Sequence, residues 1–450
     1  MQIQIYHTND IHADFTFLGR VHAYLKANRH EQDLYFDSGD FTDLKSIVVQ
    51  ADRGASALEL LRACRVDAMA VGNNEIDLGS EDLEKLVGLP LLCANLCHSD
   101  GTRLPQLRGS LTLERCGKRL LVIGLSPYYS AQMAPNAYNV FFEMGNLRTT
   151  DPIAAAREIL EAGGFDFSII LSHCGLKVDQ MLRQQLPPVD LWLGGHSHSV
   201  VTEKQYSQSG MGEKLGRITL EIDENGVHVT DSVQIDLPDC CDPQFERKLQ
   251  QTQAFADRIL SRELETAGEL EFDPFRESPL TNFICDCLLD HCGGDLAVMH
   301  SGISEGPLKR PVSRRSLIEN FPSKLNPTVC RISGEKLLEA AWLSLDETHI
   351  RRSGQGSGFR GTVLGCLGYS RNVTVTREPF SMSIDGKPVE PGRMYTLVTD
   401  DYLQRGTGYP SLVVPDEQAR FDKWFIRDLV QHYLTREDLF QSALIRRVKG

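Results

Sequence analysis

The 450-residue chain lacks any long apolar run. No stretch approaches the roughly 20 consecutive apolar residues that a membrane-spanning helix requires. The first ten residues, MQIQIYHTND, alternate polar and apolar positions and carry no basic segment of the kind that opens a secretion signal. We therefore expect a cytoplasmic protein without a membrane partner.

Positive charge is also in short supply, because 47 lysines and arginines face 61 aspartates and glutamates, for a formal net charge of −14. Binding to a nucleic acid polymer depends on neutralising its phosphates with basic side chains. The charge balance therefore argues against such a polymer as a partner. It is compatible with a small phosphorylated substrate, since a bound metal reverses the local field.

The chain has no Cys-x-x-Cys pair among its 12 cysteines, so neither a zinc finger nor a disulfide framework is indicated. Cys64, Cys93, Cys116 and Cys174 lie beside apolar runs. This placement predicts reduced residues that pack in the core.

The length exceeds that of one ordinary hydrophobic core and predicts two or three domains. Through the first half, strand-like apolar runs alternate with amphipathic helical stretches, which is typical of an α/β domain. The predicted strands cover residues 3–7, 34–36, 68–71, 91–96, 120–125, 167–171 and 191–193, and the predicted helices 18–27, 55–63 and 152–162. A hairpin over 218–222 and 227–235 would close this domain.

Domain boundaries follow from changes in pattern. We predict a first domain over residues 1–238, a linker over 239–266, and a second domain over 267–450. The linker is predicted to be helical because apolar residues recur at helical spacing between Phe245 and Leu260 in a charged segment. The second domain mixes helices with glycine-rich turns and short strands.

Five predicted strands of the first domain end in residue types that bind metals. The segments are IQIYHTNDIH, LYFDSGD, AMAVGNN, FSIILSHCG and LWLGGHSH. Ligand sites in open α/β sheets form beyond the carboxyl ends of strands. A buried unpaired carboxylate or imidazole is costly, and a bound cation removes that cost by giving its lone pairs a partner. Mixed imidazole and oxygen ligands indicate zinc, manganese or iron.

These residues carry a family resemblance. Asp10-x-His12, Gly39-Asp40, Gly72-Asn73, His173 and Gly195-His196-x-His198 occur in the order of the calcineurin-like metallophosphoesterase signature, and the surrounding text is similar to the 5′-nucleotidase branch. From Glu277 onward, SPLTNFICDCLL, VCRISGEKLLEA and TDDYLQRGTGYP resemble that branch's C-terminal domain. The resemblance implies a four-layer α/β/β/α sandwich joined by a helix to a second, α+β, substrate-binding domain.

The resemblance also implies how seven side chains share two divalent metal ions. The first ion would be held by Asp10, His12 and His198, the second by Asn73, His173 and His196, and Asp40 would bridge both. Paired metals lower the pKa of bound water and clamp an in-line displacement at phosphorus. The attacking group implied by the resemblance is therefore a metal-bound hydroxide.

The residue after Asn73 departs from the family pattern. Most members carry a histidine there, which stabilises the transition state and helps to protonate the leaving oxygen. This chain has Asn74, while Asp77 stands where the family places the aspartate that orients the histidine. Because an amide cannot release a proton near neutral pH, we expect slow turnover of substrates with poor leaving groups. An alternative for Asp77 is an ordinary turn or helix cap.

The second domain departs as well, since its loop His300–Ser304 lacks the arginine that the family's nucleotide pocket carries. Tyr402 stands where the family places an aromatic ring that stacks on a base, and Tyr409 is a second stacking candidate. His300 and Asn326 are candidates for substrate contact. The alternatives are core aromatics for the two tyrosines and, because Pro327 follows, an ordinary turn for Asn326.

Taken with the resemblance, the residues predict a two-metal hydrolase of phosphate esters, with nucleoside 5′-monophosphates as the first expectation. A 2′,3′-cyclic phosphodiesterase and a nucleotide-sugar pyrophosphatase are the enzymatic alternatives. A metal- and nucleotide-binding sensor with little catalysis is the alternative of a different class. The sequence leaves open which of Zn, Mn or Fe is bound and whether the protein forms oligomers.

Overall fold

The structure of the protein is a computed structural model that describes residues 1–86, 88–129, 138–355 and 359–450. It divides into two compact units, Met1–Ala256 and Asp257–Gly450. The helix Pro243–Leu260 runs across this division. The boundaries at 238 and 266 stay predictions.

The first unit contains fourteen described strands. They are β1 (Gln2–Thr8), β2 (Leu34–Asp37), β3 (Ala68–Ala70), β4 (Leu91–Leu92), β5 (Leu96–His98), β6 (Ser110–Arg115), β7 (Lys118–Leu125), β8 (Leu147–Thr149), β9 (Phe167–Ser172), β10 (Leu191–Gly194), β11 (Val200–Thr202), β12 (Tyr206–Ser209), β13 (Leu215–Asp223) and β14 (Gly226–Ile235). Its described helices are α1 (Phe15–Asn28), α2 (Ile47–Asp52), α3 (Ala55–Ala63), α4 (Asn73–Ile76), α5 (Ser80–Leu83), α6 (Tyr138–Met144), α7 (Pro152–Ala162), α8 (Leu176–Gln185) and α9 (Pro243–Leu260).

Two six-stranded sheets form the centre of this unit, in the orders β14-β13-β1-β2-β3-β4 and β11-β12-β10-β9-β7-β6. Within the first sheet β1 to β4 are parallel, and within the second β12, β10, β9 and β7 are parallel. The carboxyl ends of parallel neighbours lie at one edge of a sheet, which is where α/β proteins place their ligands.

The layers follow from the alternation of side chains along each strand. Ile3 and Ile5 of the first sheet pack with Ile169 and Leu171 of the second in one buried apolar cluster. Ile170 points the other way, into a cluster that it shares with α7 and α8. On the far side of the first sheet, the Tyr6 ring meets Tyr24 of α1 at 6.3 Å. The order helix, sheet, sheet, helix is the predicted four-layer sandwich, and that prediction is confirmed.

Predicted elements agree with the structure where local signals are strong. Helix α7 begins after Asp151, whose side chain accepts from the Ile153 backbone N–H, and Pro152 occupies its first turn. The single strand predicted over 91–96 is wrong, because β4 and β5 belong to different sheets. Asn95 separates them, and its amide donates to the carbonyls of Ser126 and Thr150, which turns the chain away.

The second unit contains nine described strands and seven described α-helices. The strands are β15 (Leu296–His300), β16 (Pro327–Ser333), β17 (Leu367–Tyr369), β18 (Val373–Thr376), β19 (Ser381–Ile384), β20 (Lys387–Pro388), β21 (Met394–Asp400), β22 (Ala419–Phe421) and β23 (Val448–Lys449). The helices are α10 (Pro279–Cys292), α11 (Arg314–Asn320), α12 (Gly334–Leu343), α13 (Glu347–Ile350), α14 (Asp401–Gln404), α15 (Ile426–Tyr433) and α16 (Glu437–Ala443). They surround a five-stranded sheet of order β17-β15-β21-β16-β22 and a four-stranded sheet of order β20-β19-β18-β23.

One apolar cluster fills the second unit. It includes Phe283 and Leu288 of α10, Val298 of β15 and Leu397 of β21, all at most 1% exposed. Unit two is therefore an α+β domain with its own core, as predicted. Among the described residues of both units, none of the helices has the length and apolar character needed to cross a bilayer.

Candidate metal centre

The seven predicted ligands lie just beyond the carboxyl ends of five strands. Asp10 and His12 follow β1, Asp40 follows β2, Asn73 follows β3, His173 follows β9, and His196 and His198 follow β10. The first three strands belong to one sheet and the last two to the other. Asp40 of the first sheet lies 3.2 Å from His173 of the second, so both sheets deliver their predicted ligands to the same end of the sandwich.

A first group of ligand atoms consists of Asp10, His12 and His198, which lie close enough to hold one ion. The Nε2 atom of His198 is 3.4 Å from an oxygen of Asp10. The two imidazole Nε2 atoms of this group are 3.2 Å apart. These three side chains are the predicted ligands of the first ion.

A second group consists of Asp40, His173 and His196. The Nε2 atom of His173 lies 3.2 Å from Asp40 Oδ2. The same oxygen is 3.8 Å from His12 Nε2 of the first group. One carboxylate oxygen is thus placed within reach of both groups, as a bridging ligand requires.

Asn73 supplies an oxygen whose hydrogen-bonding capacity is unused. Its Oδ1 atom is buried and has no hydrogen-bond partner within the described parts of the chain, and the buried His173 Nε2 makes no well-aligned hydrogen bond although Asp40 lies 3.2 Å away. An unpaired buried polar atom costs free energy unless a ligand pairs with it. Two such atoms, among carboxylates and imidazoles, fit a pair of divalent cations better than they fit an empty fold.

The backbone at these positions is strained. Five of the seven ligands adopt left-handed φ values: Asp10 at 50°, His12 at 49°, Asp40 at 54°, His196 at 70° and His198 at 52°. Residues other than glycine pay of order 1–3 kcal/mol for sparsely populated conformations of this kind. Such residues gather at functional sites, where the surrounding fold holds them in place.

Glycine makes the close approach of the loops possible. A Cβ atom at Gly72 would lie 2.2 Å from an Asp40 carboxylate oxygen, so a larger residue would push Asn73 and Asp40 apart. The loops after β1 and β2 are joined directly, since the Asp10 and His12 backbone N–H groups donate to the carbonyls of Gly39 and Asp40.

Hydrogen bonds and burial prepare the imidazoles for ligation. His173 Nδ1 lies 2.8 Å from the Ser38 carbonyl, which only accepts, so Nδ1 carries a proton. Burial lowers the pKa of His196 to about 4, helped by the neighbouring His173, and His196 is therefore neutral at pH 7. Burial also opposes a charge on Asp40, but His173 and His12 outweigh it and hold the pKa of that carboxyl far below its usual range. Burial opposes a charge on His173 as well, but Asp40 and Asp10 outweigh it and raise the pKa of His173 to about 10, so this imidazole must release a proton when a cation binds.

Asn74 is buried against the bridging carboxylate. Its backbone N–H donates to Asp40 Oδ1 at 2.8 Å, and its Nδ2 donates to Asp40 Oδ2 at 2.7 Å. Its side chain thus positions a predicted ligand. Asp77 ends the short helix α4 as its C-cap residue, and its backbone N–H donates to the Asn73 carbonyl.

Two residues of the site were missed by sequence reasoning. Glu75 is fully buried and accepts from the backbone N–H groups of Gly72, Asp40 and Thr42. Asn9 donates through its amide to Asp10 Oδ2 at 2.7 Å. Both lie within two residues of a predicted ligand in the sequence, and that proximity is the signal that could have identified them.

In the second unit, two of the four predicted pocket residues lie together. The His300 and Tyr402 rings are 5.0 Å apart, and His300 Nε2 is 3.1 Å from Asp400. Phe359, which sequence reasoning missed, stacks on Tyr402 at 4.9 Å with an interplanar angle of 24°. The Tyr402 face therefore already has an aromatic partner, and the tyrosine is only 2% exposed.

The other two pocket candidates serve the fold. Asn326 donates its amide hydrogens to the carbonyls of Asp422 and Trp424, each at 2.9 Å. Tyr409 is fully buried, and its hydroxyl donates to the Gly365 carbonyl. These contacts agree with the structural alternatives, a turn and a core aromatic, rather than with contact to a substrate.

Two family models match the chain. The one described as calcineurin-like phosphoesterase matches residues 3–200, which carry all seven predicted ligands. The one described as 5′-nucleotidase, C-terminal domain, matches residues 261–413 in the second unit.

Related proteins are similar to this chain over nearly its whole length. An uncharacterized metallophosphoesterase of Bacillus subtilis (strain 168), YunD, is 28% identical across 95% of this chain and 98% of its own. The 5′-nucleotidase of Mus musculus is 23% identical across 100% of this chain and 90% of its own.

Solved structures share the fold of both units. A putative 5′-nucleotidase from Staphylococcus aureus aligns with a TM-score of 0.65 at 19% identity, covering 100% of this chain and 99% of its own. The NAD nucleotidase of Haemophilus influenzae aligns with a TM-score of 0.64 at 14% identity, covering 97% and 96% of the two chains.

Proposed function

The chain belongs to the calcineurin-like metallophosphoesterases with a 5′-nucleotidase C-terminal domain, which makes it a metal-dependent phosphoric ester hydrolase, and we propose that it hydrolyses nucleoside 5′-monophosphates with two divalent cations. The observation that carries the proposal is the position of Asp40 Oδ2, 3.2 Å from His173 Nε2 and 3.8 Å from His12 Nε2. An oxygen so placed can bind both cations.

Each ligand would have a defined task. Asp10, His12 and His198 would hold the first cation, Asn73, His173 and His196 the second, with Asp40 shared. When bound, two divalent cations supply Lewis acidity and an activated water for attack on phosphorus. Only two of the seven ligands are charged carboxylates, so the loaded site keeps a positive charge that attracts a phosphate.

The supporting side chains fix the ligand atoms. The Ser38 carbonyl engages Nδ1 of His173 and so directs Nε2 at Asp40 Oδ2, where it would bind a cation after releasing its proton. Asn74 holds the same oxygen of Asp40 through its Nδ2. Because these contacts exist before a cation arrives, binding requires little rearrangement of the protein.

A screen of phosphate esters in the presence of manganese, cobalt or zinc tests the proposal. We expect the parent protein to contain two equivalents of metal per chain by elemental analysis and to release phosphate from at least one nucleoside monophosphate. The Asp40→Ala variant should lose at least about a hundredfold in kcat/KM, since one side chain serves both ions.

Asp33→Ala is the matched control, because Asp33 is a buried aspartate just before the opposite end of β2 and bonds to Gln4 and His30 rather than to a ligand. If both variants lose activity equally, the loss reflects the fold. Tight nucleotide binding by the parent without turnover of any ester would contradict the proposal and favour a sensor.

Asn74 favours a second candidate substrate class, the nucleotide-sugar pyrophosphates. The sugar alkoxide that leaves from a nucleoside monophosphate needs a proton, and the Asn74 amide cannot supply one. A phosphate leaving group is a far weaker base and leaves without that help. Higher kcat/KM on a nucleotide sugar than on the matching monophosphate would establish this alternative. A 2′,3′-cyclic nucleotide in the same screen tests the other enzymatic alternative, a 2′,3′-cyclic phosphodiesterase.

Selection of the substrate would involve the second unit. Tyr402 offers a ring for a base, and His300 lies beside it. In the described conformation Phe359 occupies the Tyr402 face, so a base that stacks there must displace it. We expect Phe359→Ala to change KM for nucleotides by several-fold and to leave hydrolysis of p-nitrophenyl phosphate unchanged, as steady-state kinetics on the two substrates would measure.

A further inference from the structure

We propose that Gln208 is a positioning residue for the histidine pair of the metal centre, an inference that rests on the proposed two-metal function. Gln208 lies on β12, is fully buried, and directs its side chain at the loop 195–199 that carries His196 and His198. One amide holds this loop both before the first histidine and after the second.

The three hydrogen bonds are specific. Gln208 Nε2 donates to the Gly195 carbonyl at 2.6 Å, and its Oε1 accepts from the Ser197 hydroxyl at 2.7 Å and from the Ser199 backbone N–H at 3.2 Å. A carbonyl only accepts and a backbone N–H only donates, so these partners fix which end of the amide is oxygen. The three partners alternate with the two histidines along the loop.

The loop needs such support. His198 and Ser197 are exposed, and both histidines have left-handed φ values that cost free energy. An exposed loop without a packed interior relaxes from a strained conformation unless hydrogen bonds prevent it. A buried anchor beneath the loop supplies that restraint, because the amide cannot move without breaking bonds inside the sandwich.

The same strand also supports the aspartate of the first group. The Ser209 backbone N–H donates to Asn9 Oδ1 at 2.7 Å, and Asn9 Nδ2 donates to Asp10 Oδ2. Two adjacent residues of β12, Gln208 and Ser209, therefore connect to ligand segments that lie about 190 residues apart in the chain. Strand β12 acts as a common base for Asp10 and His198.

The test measures cation affinity directly, by competition between the full-length protein and a chromogenic chelator for Mn²⁺ or Zn²⁺. We expect Gln208→Leu to weaken cation binding about 10- to 100-fold, the usual effect of removing a partner that orients metal ligands. It should lower kcat/KM on p-nitrophenyl phosphate by a similar factor.

Gln234→Leu is the matched control. Gln234 donates to the Val201 carbonyl, to Ser207 and to the Gln208 carbonyl, so it contacts the same strand, and within the described parts of the chain it does not bond to residues 195–199. A merely structural role for Gln208 predicts that both variants lower the unfolding temperature in EDTA and that neither changes cation affinity. Affinity within twofold of the parent in Gln208→Leu, or an equal loss in Gln234→Leu, would overturn the proposal.

A second pair of variants decides the matter if Gln208→Leu does not fold. Ser197→Ala removes one bond to Gln208, whereas Ser199→Ala keeps the Ser199 backbone contact with Gln208 and removes only the bond from the Ser199 hydroxyl to the Ser197 carbonyl. We expect the cation affinity of Ser197→Ala to be two- to fivefold weaker than that of the parent and the affinity of Ser199→Ala to be unchanged. Equal affinities of the two variants would overturn the proposal. A parent that binds two cations but cleaves no ester would refute the proposed function and leave this comparison intact.

Discussion

Asn74 shows how one residue can both support a ligand and limit the chemistry. Its backbone N–H and its Nδ2 donate to the two oxygens of Asp40. These bonds restrain both carboxylate oxygens, including Oδ2, which also faces His173. The same amide has no proton to give at neutral pH, so it cannot assist a departing alkoxide.

Replacing Asn74 with histidine should restore that assistance. General acid help is typically worth about 10²–10⁴-fold, and it matters most for strongly basic leaving groups. We expect Asn74→His to raise the ratio of kcat/KM for a nucleoside monophosphate over that for p-nitrophenyl phosphate by at least about tenfold. Asn74→Ala removes the Nδ2 bond to Asp40 without supplying a proton donor, and it should lower kcat/KM for both substrates by the same factor. Equal effects of Asn74→His on both would contradict a leaving-group role.

At the scale of elements, Glu75 connects the short helix α4 to the loop after β2. Its two oxygens accept from the backbone N–H groups of Gly72, Asp40 and Thr42, and from the Thr42 hydroxyl. Two segments more than 30 residues apart thus share one buried carboxylate. The junction sets the distance between Asp40 and Asn73.

We expect Glu75→Gln to lower the free energy of unfolding by about 2 kcal/mol or more, because either orientation of the amide opposes an NH₂ group to a backbone N–H. It should also weaken cation binding. Urea unfolding in EDTA and elemental analysis measure the two effects. Glu81→Gln in the neighbouring helix α5 is the control, since Glu81 is exposed. If the Glu75 variant is as stable as the Glu81 variant, Glu75 does not hold helix α4 to the loop after β2.

At the scale of the molecule, the sandwich buries two carboxyl groups, those of Asp37 and Asp179, away from solvent. Burial raises the pKa of Asp37 to about 8 and that of Asp179 to about 7. Asp37 accepts from Thr8 and from the Gly39 backbone N–H, close behind the metal ligands. These acids stay protonated in the folded protein at pH values where the unfolded chain has released their protons.

This difference makes the stability of the metal-free protein depend on pH. Between about pH 4 and the raised pKa of each group, the unfolded chain binds fewer protons at Asp37 and Asp179 than the folded one, so at these two positions rising pH favours unfolding. Each such group contributes up to about 1.4 kcal/mol per pH unit. We expect the free energy of unfolding of Asp37→Asn, relative to the parent, to increase with pH over this range in EDTA. A constant difference from pH 5 to pH 8 would contradict the raised pKa.

The sequence by itself determined the family and the fold class, and it predicted the set of metal-ligand side chains that the structure brings together. Residue types such as Asp10-x-His12 and Gly195-His196-x-His198 occur at fixed spacing after apolar strands, and both features are local. Helices such as Ala55–Ala63 and Pro152–Ala162 were predicted to the residue because caps and periodicity are local as well.

Only the tertiary structure decided which groups support the ligands and which pocket candidates serve the core. Gln208 lies in a strand, YSQS, whose polar residues give no apolar alternation to read, and it meets its loop only after β12 pairs beside β10. Asn326 is a candidate for substrate contact in the sequence, but in the fold the carbonyls of Asp422 and Trp424, almost 100 residues later, accept its amide hydrogens. Hydrogen-bond partners distant in sequence depend on the packing of whole sheets, and that information is absent from any short stretch of chain.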